Sequence, residues 1–303
     1  MHKVNVSIPA VSTNVGPGLD VLGLALNLRN IIELSLAPGE ELKVEMHGEG
    51  EEVLPDGFYN PVMRAATRLF QRLEQAPVGL NVRVTNHIPL DVGLSARTTL
   101  IVGGMVGANN LLGSPFSHEQ LIEMASELSG QPEAVVTAMR GGLGLCSQAP
   151  GGPLLYRAIE ISPLRVVVSV PNLPNYKPPL RADLSATVPL ADAIQNMGHT
   201  ALVIEALRSG DFDLLRHALR DKLHEPQRVN FIQGFEAVQQ AALDAGAIGM
   251  TLCGAGPALM AFATYNHQSI ETAIQGAFRA VGVEARTWSL GVDQQGIVLS
   301  VVE

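Results

Sequence analysis

The segment that speaks most directly of chemistry is Ile88-Pro89-Leu90-Asp91-Val92-Gly93-Leu94-Ser95-Ala96-Arg97-Thr98-Thr99. A β-rich run ends at Pro89, a glycine follows, and a long apolar helix begins near Thr98. A helix start leaves backbone N–H groups without partners and carries partial positive charge, which together suit an anion. The setting is that of a phosphate-cradling loop. Its tip, Ser95-Ala96-Arg97, departs from the expected chemistry: small glycines that let backbone approach phosphate, and hydroxyls that can hold a metal ion.

The surrounding chain can support such a site. With 303 residues, 47% of them hydrophobic, and 30 glycines, it can build two domains or one large one with many tight turns. The formal net charge of −9 argues against nucleic-acid or anionic-membrane binding, which wants a basic face, but leaves room for a locally positive nucleotide pocket. No apolar run reaches the roughly 18 residues of a membrane helix, and the first residues alternate like a strand instead of forming a signal peptide. The expectation is a soluble, cytoplasmic chain. Cys146 and Cys253 lie far apart in apolar segments and read as buried reduced thiols, with no metal-ligand spacing.

Periodicity places the elements. Residues 3–8 alternate as a strand that Pro9 should stop, and β-like runs near 30–36 and 41–46 flank the turn pair Pro38-Gly39. A helix is expected over 60–75, a strand over 80–84, and a buried helix over 98–112 that Gly113 ends. Ser117-x-x-Gln120 reads as a capping box, and Pro132 opens a short helix to Arg140. Strands follow at 143–147 and 153–158. A second portion starts near Ser162-Pro163, with a strand at 166–170, a proline-rich connection, and helices near 189–208, 211–222 and 232–245. It closes with strands at 248–252 and 258–264, a helix at 269–281, and strands at 284–290 and 296–302. This pattern is α+β, with units over 1–160 and 161–303.

Three segments together resemble one family. Pro9-Ala10-Val11-Ser12-Thr13-Asn14-Val15-Gly16-Pro17-Gly18-Leu19-Asp20, the 88–99 loop, and Leu252-Cys253-Gly254-Ala255-Gly256-Pro257 are similar, in order and spacing, to the three motifs of homoserine kinases among the GHMP small-molecule kinases. Leu190-Ala191-Asp192-Ala193 and Glu225-Pro226-Gln227-Arg228 resemble the linking segments. The resemblance implies an N-terminal domain like domain 2 of ribosomal protein S5 and a ferredoxin-like C-terminal domain. It also implies transfer of the ATP γ-phosphoryl group to the homoserine hydroxyl, with Mg²⁺, and it is compatible with a homodimer.

That resemblance assigns roles residue by residue. Asn14 and Asp20 would hold the amino-acid substrate, Asp20 orienting its hydroxyl; the plainer reading is that both brace a turn. Arg181 and Arg228 would grip the substrate carboxylate in paired hydrogen bonds, or form surface ion pairs. Gly254 would let the third motif approach the substrate. The nucleotide would lie against Gly93, Leu94, Ser95, Ala96, Arg97, Thr98 and Thr99, with Asn60 near the adenine or simply capping a helix.

The departures concentrate at the phosphates. Ser95 replaces a family glycine, Ala96 and Arg97 replace two serines, and Ser129 replaces a metal-binding glutamate. Gln131 and Ala134 replace a histidine and an asparagine. Glu127 lies two residues from Ser129, turned by roughly 200° on a helix, and is a poor stand-in. Arg97 would either grip phosphate in place of lost metal charge or pair with an acidic neighbour. Three functions remain open: an ATP-dependent homoserine kinase, a catalytically impaired relative that binds a small amino acid or nucleotide without turnover, or a different GHMP reaction whose nucleotide is held by Arg97.

Overall fold

The first strand, β1 (Lys3–Thr13), alternates half-buried and buried positions up to Ile8 and is buried throughout beyond it. It does not stop at Pro9. The register with β2 (Leu22–Ala37) shifts between Pro9 and Ala10, and an irregularity is where a residue without an N–H can sit inside a sheet. The first half of β2 escapes the alternation test because Leu22 to Leu26 are buried on both faces, so no polar residues mark a period of two. The computed structural model describes residues 3–37, 39, 41–74 and 79–302, so Pro38 of the expected turn lies outside the described residues.

Around these two strands the remaining elements form two layered units. β3 (Leu42–Gly48) and β4 (Gly79–Asn86) extend the sheet beyond β2, while β5 (Leu143–Ser147) pairs with the first half of β2 and β6 (Leu155–Ile159) pairs with β5. Helices α1 (Pro61–Arg72), α2 (Ala96–Leu111), α3 (His118–Ser129) and α4 (Pro132–Arg140) cover this sheet, with α2 lying on β1 and β2 and touching the other three. The expected capping box at Ser117 and Gln120 is present in both directions.

The second unit begins with β7 (Arg165–Pro171), followed by α5 (Leu190–Ser209), α6 (Phe212–Ala218), α7 (Glu225–Arg228) and α8 (Phe235–Asp244). Then come β8 (Gly249–Leu252), β9 (Leu259–Ala263), α9 (His267–Ala280) and β10 (Ala285–Gly291). Their sheet order, β10-β7-β9-β8, with antiparallel pairs throughout, is the ferredoxin-like arrangement. The helix expected over 211–222 ends at Ala218, and the short α7 takes its own start at Glu225. The last described strand, β11 (Val298–Val302), returns to pair antiparallel with β1 and so belongs to the first sheet. Among the described residues no helix is long and apolar enough to cross a membrane.

The two units share a core. Val166 and Val168 of β7, with Met260 and Phe262 of β9, pack in one cluster with Leu22, Leu24 and Leu26 of β2 and with Leu94. Val167 points the other way, into the cluster under α8 and α9 with Ile270, Ile274 and Phe278. Burying both faces of the second sheet ties the two units into one folding event. Phe262, fully buried, is therefore a stringent probe. Phe262→Ala should cost about 3–5 kcal/mol and lower a single calorimetric transition. Two separated transitions in the variant would contradict the shared core.

Candidate functional site

Three loops meet where the shared core opens to solvent. Gly254 donates its backbone N–H to the Thr13 carbonyl at 2.9 Å, and Ala258 donates to Val92 at 3.1 Å. Gly93 has φ +94°, and a Cβ built on it would stand 1.9 Å from the Cys253 carbonyl oxygen. Gly254, at φ +55°, would bring its own Cβ to 3.1 Å from the Gly93 Cα. Gly93 accepts only hydrogen at Cα, because backbone there packs on backbone, and Gly254 is held tightly in a left-handed conformation beside it. The three sequence motifs are thus one structural object.

They frame an open cleft of ≈ 600 Å³. Asn14, Asp20, Gly93, Ser95, Ala96, Arg97, Thr98, Arg181, Arg228 and Gly254 all line it. Three of the residues proposed from sequence do not. Leu94 is buried in the shared core. The Thr99 hydroxyl is buried and donates to the Ala96 carbonyl at 2.7 Å. Asn60 is fully buried, its side chain accepting from Val62 N at 3.0 Å and donating to the Pro55 carbonyl at 3.1 Å, which makes it the cap of α1.

The 93–99 loop turns sharply into α2. Ser95 takes φ +57°, the left-handed conformation in which a glycine would be at ease, and α2 starts at the next residue. A side chain in that conformation costs on the order of 1–2 kcal/mol, which the surrounding packing must offset. Arg97 pairs with Asp91 through two 2.8 Å hydrogen bonds. That contact holds the Asp91 carboxyl below its ordinary value and raises the guanidinium above its own. The pair is about half exposed, so its contribution to stability is small.

On the opposite wall, Asn14 accepts the Asp20 N–H at 2.9 Å and braces the first-motif turn, where both residues have positive φ. The Asp20 carboxylate pairs with the Arg181 guanidinium, both being well exposed. Arg228 differs. It is buried, its Nε donates to the Pro179 carbonyl at 3.2 Å, and one Nη donates to His224 Nδ1 at 3.1 Å and reaches the Gly254 carbonyl at 3.4 Å. Among the described residues no carboxylate lies within 4.0 Å of it. Burial, the largest influence on it, lowers its affinity for the proton.

The sequence did not single out Glu133, which also lines the cleft from the first turn of α4. Its carboxyl is buried, and burial, with the nearby Asp20 charge as a smaller cause, pushes its pKa up to about 7. The family pattern draws attention to Ser129 and Glu127 instead; the available clue was that Pro132 starts a helix and turns the next residue inward. His224 was missed as well, although its spacing of four from Arg228 sets the two side chains on neighbouring turns. Both cysteines are free and buried, as expected, and Cys146 borders the cleft with its pKa pushed up to about 12, chiefly by burial.

Comparison with known proteins agrees with this architecture. Residues 60–142 match the GHMP kinases N terminal domain, and residues 203–283 match the GHMP kinases C terminal domain. A homoserine kinase from Synechococcus sp. (strain WH7803) is 37% identical over 301 residues, covering 97% of this chain and 95% of the relative. The chain belongs to the GHMP kinase family. A second homoserine kinase, from Microchaete diplosiphon, is 36% identical over 98% of the chain and 97% of its own length. The crystal structure of homoserine kinase from Cytophaga hutchinsonii superposes with a TM-score of 0.87 at 26% identity, over 98% of this chain and 97% of that one. In this GHMP kinase the contact between Gly93 and Cys253 is the joint of the cleft. Gly93→Ala should destabilise it by at least ~2 kcal/mol, from left-handed strain plus a backbone clash, measured as a shift in denaturant midpoint. An unchanged midpoint would mean that the loops do not touch.

Proposed function

We propose that this chain transfers the γ-phosphoryl group of ATP to the side-chain hydroxyl of homoserine. The observation that carries the reading is the buried Arg228 guanidinium, which faces the cleft with backbone carbonyls and an imidazole around it and, among the described residues, no carboxylate in contact. A buried cation without an anionic partner is costly, and a ligand carboxylate relieves that cost. An α-amino acid supplies one. Relatives named homoserine kinase over nearly the full length point to the same substrate.

The parts then divide naturally. Arg228, assisted by Arg181, grips the α-carboxylate in paired hydrogen bonds. Asn14 keeps the first-motif turn in shape, and Asp20 orients the side-chain hydroxyl. ATP lies with its phosphates against Gly93, Ser95 and the free N–H groups that open α2, where the helix dipole favours negative charge. The homoserine oxygen attacks the γ-phosphorus as the bond to the departing ADP oxygen breaks. The hydroxyl proton passes to the Glu133 carboxylate, whose pKa of about 7 suits a base at neutral pH.

Magnesium needs few protein donors when it travels with ATP, because phosphate oxygens and waters fill most of its octahedral shell. Among the described residues no group of three acidic, histidine or cysteine side chains could hold a metal. The Thr98 hydroxyl fits a lesser role, since it donates to Gln131 Oε1 at 2.6 Å and keeps its lone pairs for a hard cation. Held there, the ion would neutralise charge on the transferring group.

Purified protein with ATP, Mg²⁺ and homoserine should release ADP in proportion to homoserine; ADP release that ignores homoserine, or none, overturns the reading. Arg228→Met should raise KM for homoserine about 30-fold or more, as expected from the ~2–5 kcal/mol lost when a buried charge pair is broken. Because the deprotonated Glu133 is the active form, kcat/KM should climb with pH and level off above about 7. Glu133→Gln should erase that limb and lower kcat by about 10²–10⁴-fold. A pH profile that survives the substitution would assign the proton to another group.

A further inference from the structure

Arg228 is held in place by a buried relay that reaches back to the first motif. The His224 ring is fully buried, with Nε2 2.9 Å from the Gly16 carbonyl and Nδ1 3.1 Å from an Arg228 Nη. A carbonyl only accepts and a guanidinium only donates, so both contacts are satisfied by one form of the ring: neutral, with its proton on Nε2. Burial, the largest influence on His224, also disfavours its charged form. Behind it, Asp221 accepts the backbone N–H groups of Leu223, His224 and Glu225 at 3.1, 2.7 and 2.8 Å, fixing the start of α7.

We propose that His224 is a positioning residue for carboxylate recognition: its Nδ1 aims the Arg228 guanidinium into the cleft, while Nε2–H anchors the ring to the first-motif turn at Gly16. The inference deepens the homoserine kinase reading and rests on it for the identity of the substrate. Its physical content is independent of the reaction. An arginine has several free torsions, and without an acceptor at Nδ1 the guanidinium loses one of the few contacts that fix its fork in a single orientation. The chemistry being selected is that of a carboxylate, so the relay acts on substrate affinity and not on the phosphoryl step.

Two near-isosteric substitutions separate the halves of the relay. The amide of His224→Asn can put an oxygen where Nδ1 stood, keeping the acceptor for Arg228 and losing the donor to Gly16. His224→Gln can put an N–H where Nε2 stood, keeping the anchor and losing the acceptor. Steady-state kinetics on the full chain should show His224→Gln raising KM for homoserine about 10–100-fold, the loss of one hydrogen bond to a charged group, with kcat within about threefold of the parent. His224→Asn should keep a near-parental KM and show its defect as a lower melting temperature. The ratio of kcat/KM for homoserine over 3-aminopropan-1-ol, which lacks the carboxylate, should fall in His224→Gln only. Equal KM effects in both variants, or loss of kcat with KM intact, would overturn the proposal. Should the parent protein ignore homoserine, the homoserine reading fails by itself. The relay is then tested by ¹⁵N NMR of the Arg228 guanidinium without ligand: faster Nε–H exchange in His224→Gln alone supports it, and equal exchange in all three proteins overturns it.

Discussion

Everything in the cleft depends on bare backbone meeting bare backbone. The Gly93 Cα rests against the Cys253 carbonyl, and Gly254 binds Thr13 through its N–H. These contacts bring together distant parts of the chain and leave no room for a side chain between them. Because the loops touch through main chain, the side chains they carry (Asn14, Ser95, Thr98) are free to face the opening instead of filling the joint. Hydrophobic burial supplies the force that presses the loops together, since Leu94 from the second loop and Cys253 from the third sit in the core that both sheets share.

Charge is arranged around that joint in two grades. At the rim, Asp20 with Arg181 and Asp91 with Arg97 form exposed ion pairs that can open at little cost. Deeper in, Arg228 and Glu133 are buried without each other's company. A buried guanidinium and a buried carboxyl held apart, the carboxyl pushed toward its neutral form, cost the folded state stability. The rim pairs therefore add little to stability, whereas the deep groups carry the cost of burial.

Much of this was legible in the sequence, for definable reasons. Helix α2 announced itself by apolar residues on nearly every face, the capping box at Ser117 by its hydroxyl and amide three residues apart, and the cleft by three glycine-bearing motifs. The failures are equally physical. Periodicity could not find the first half of β2, because a strand buried on both faces has no alternation. Pro9 read as a terminator since a bulge depends on the partner strand's register. Ser95 read as damage to the loop, yet the chain holds it in the left-handed conformation natural to the glycine it replaces. Glu133 and His224 stayed hidden because their importance comes from burial and from partners, and burial is a property of the assembled fold.

One consequence concerns time. β1 lies between β2 and β11, and Lys3 of β1 pairs with Val302 of β11 across the whole of the second unit. Until that distant pairing forms, the outer edge of β1 at Lys3–Ser7 stays uncovered while the intervening elements fold. An unpaired strand edge is a template for pairing with another chain. The slow closing of so long a loop therefore sets the interval in which this edge is open, and β11 acts as its seal.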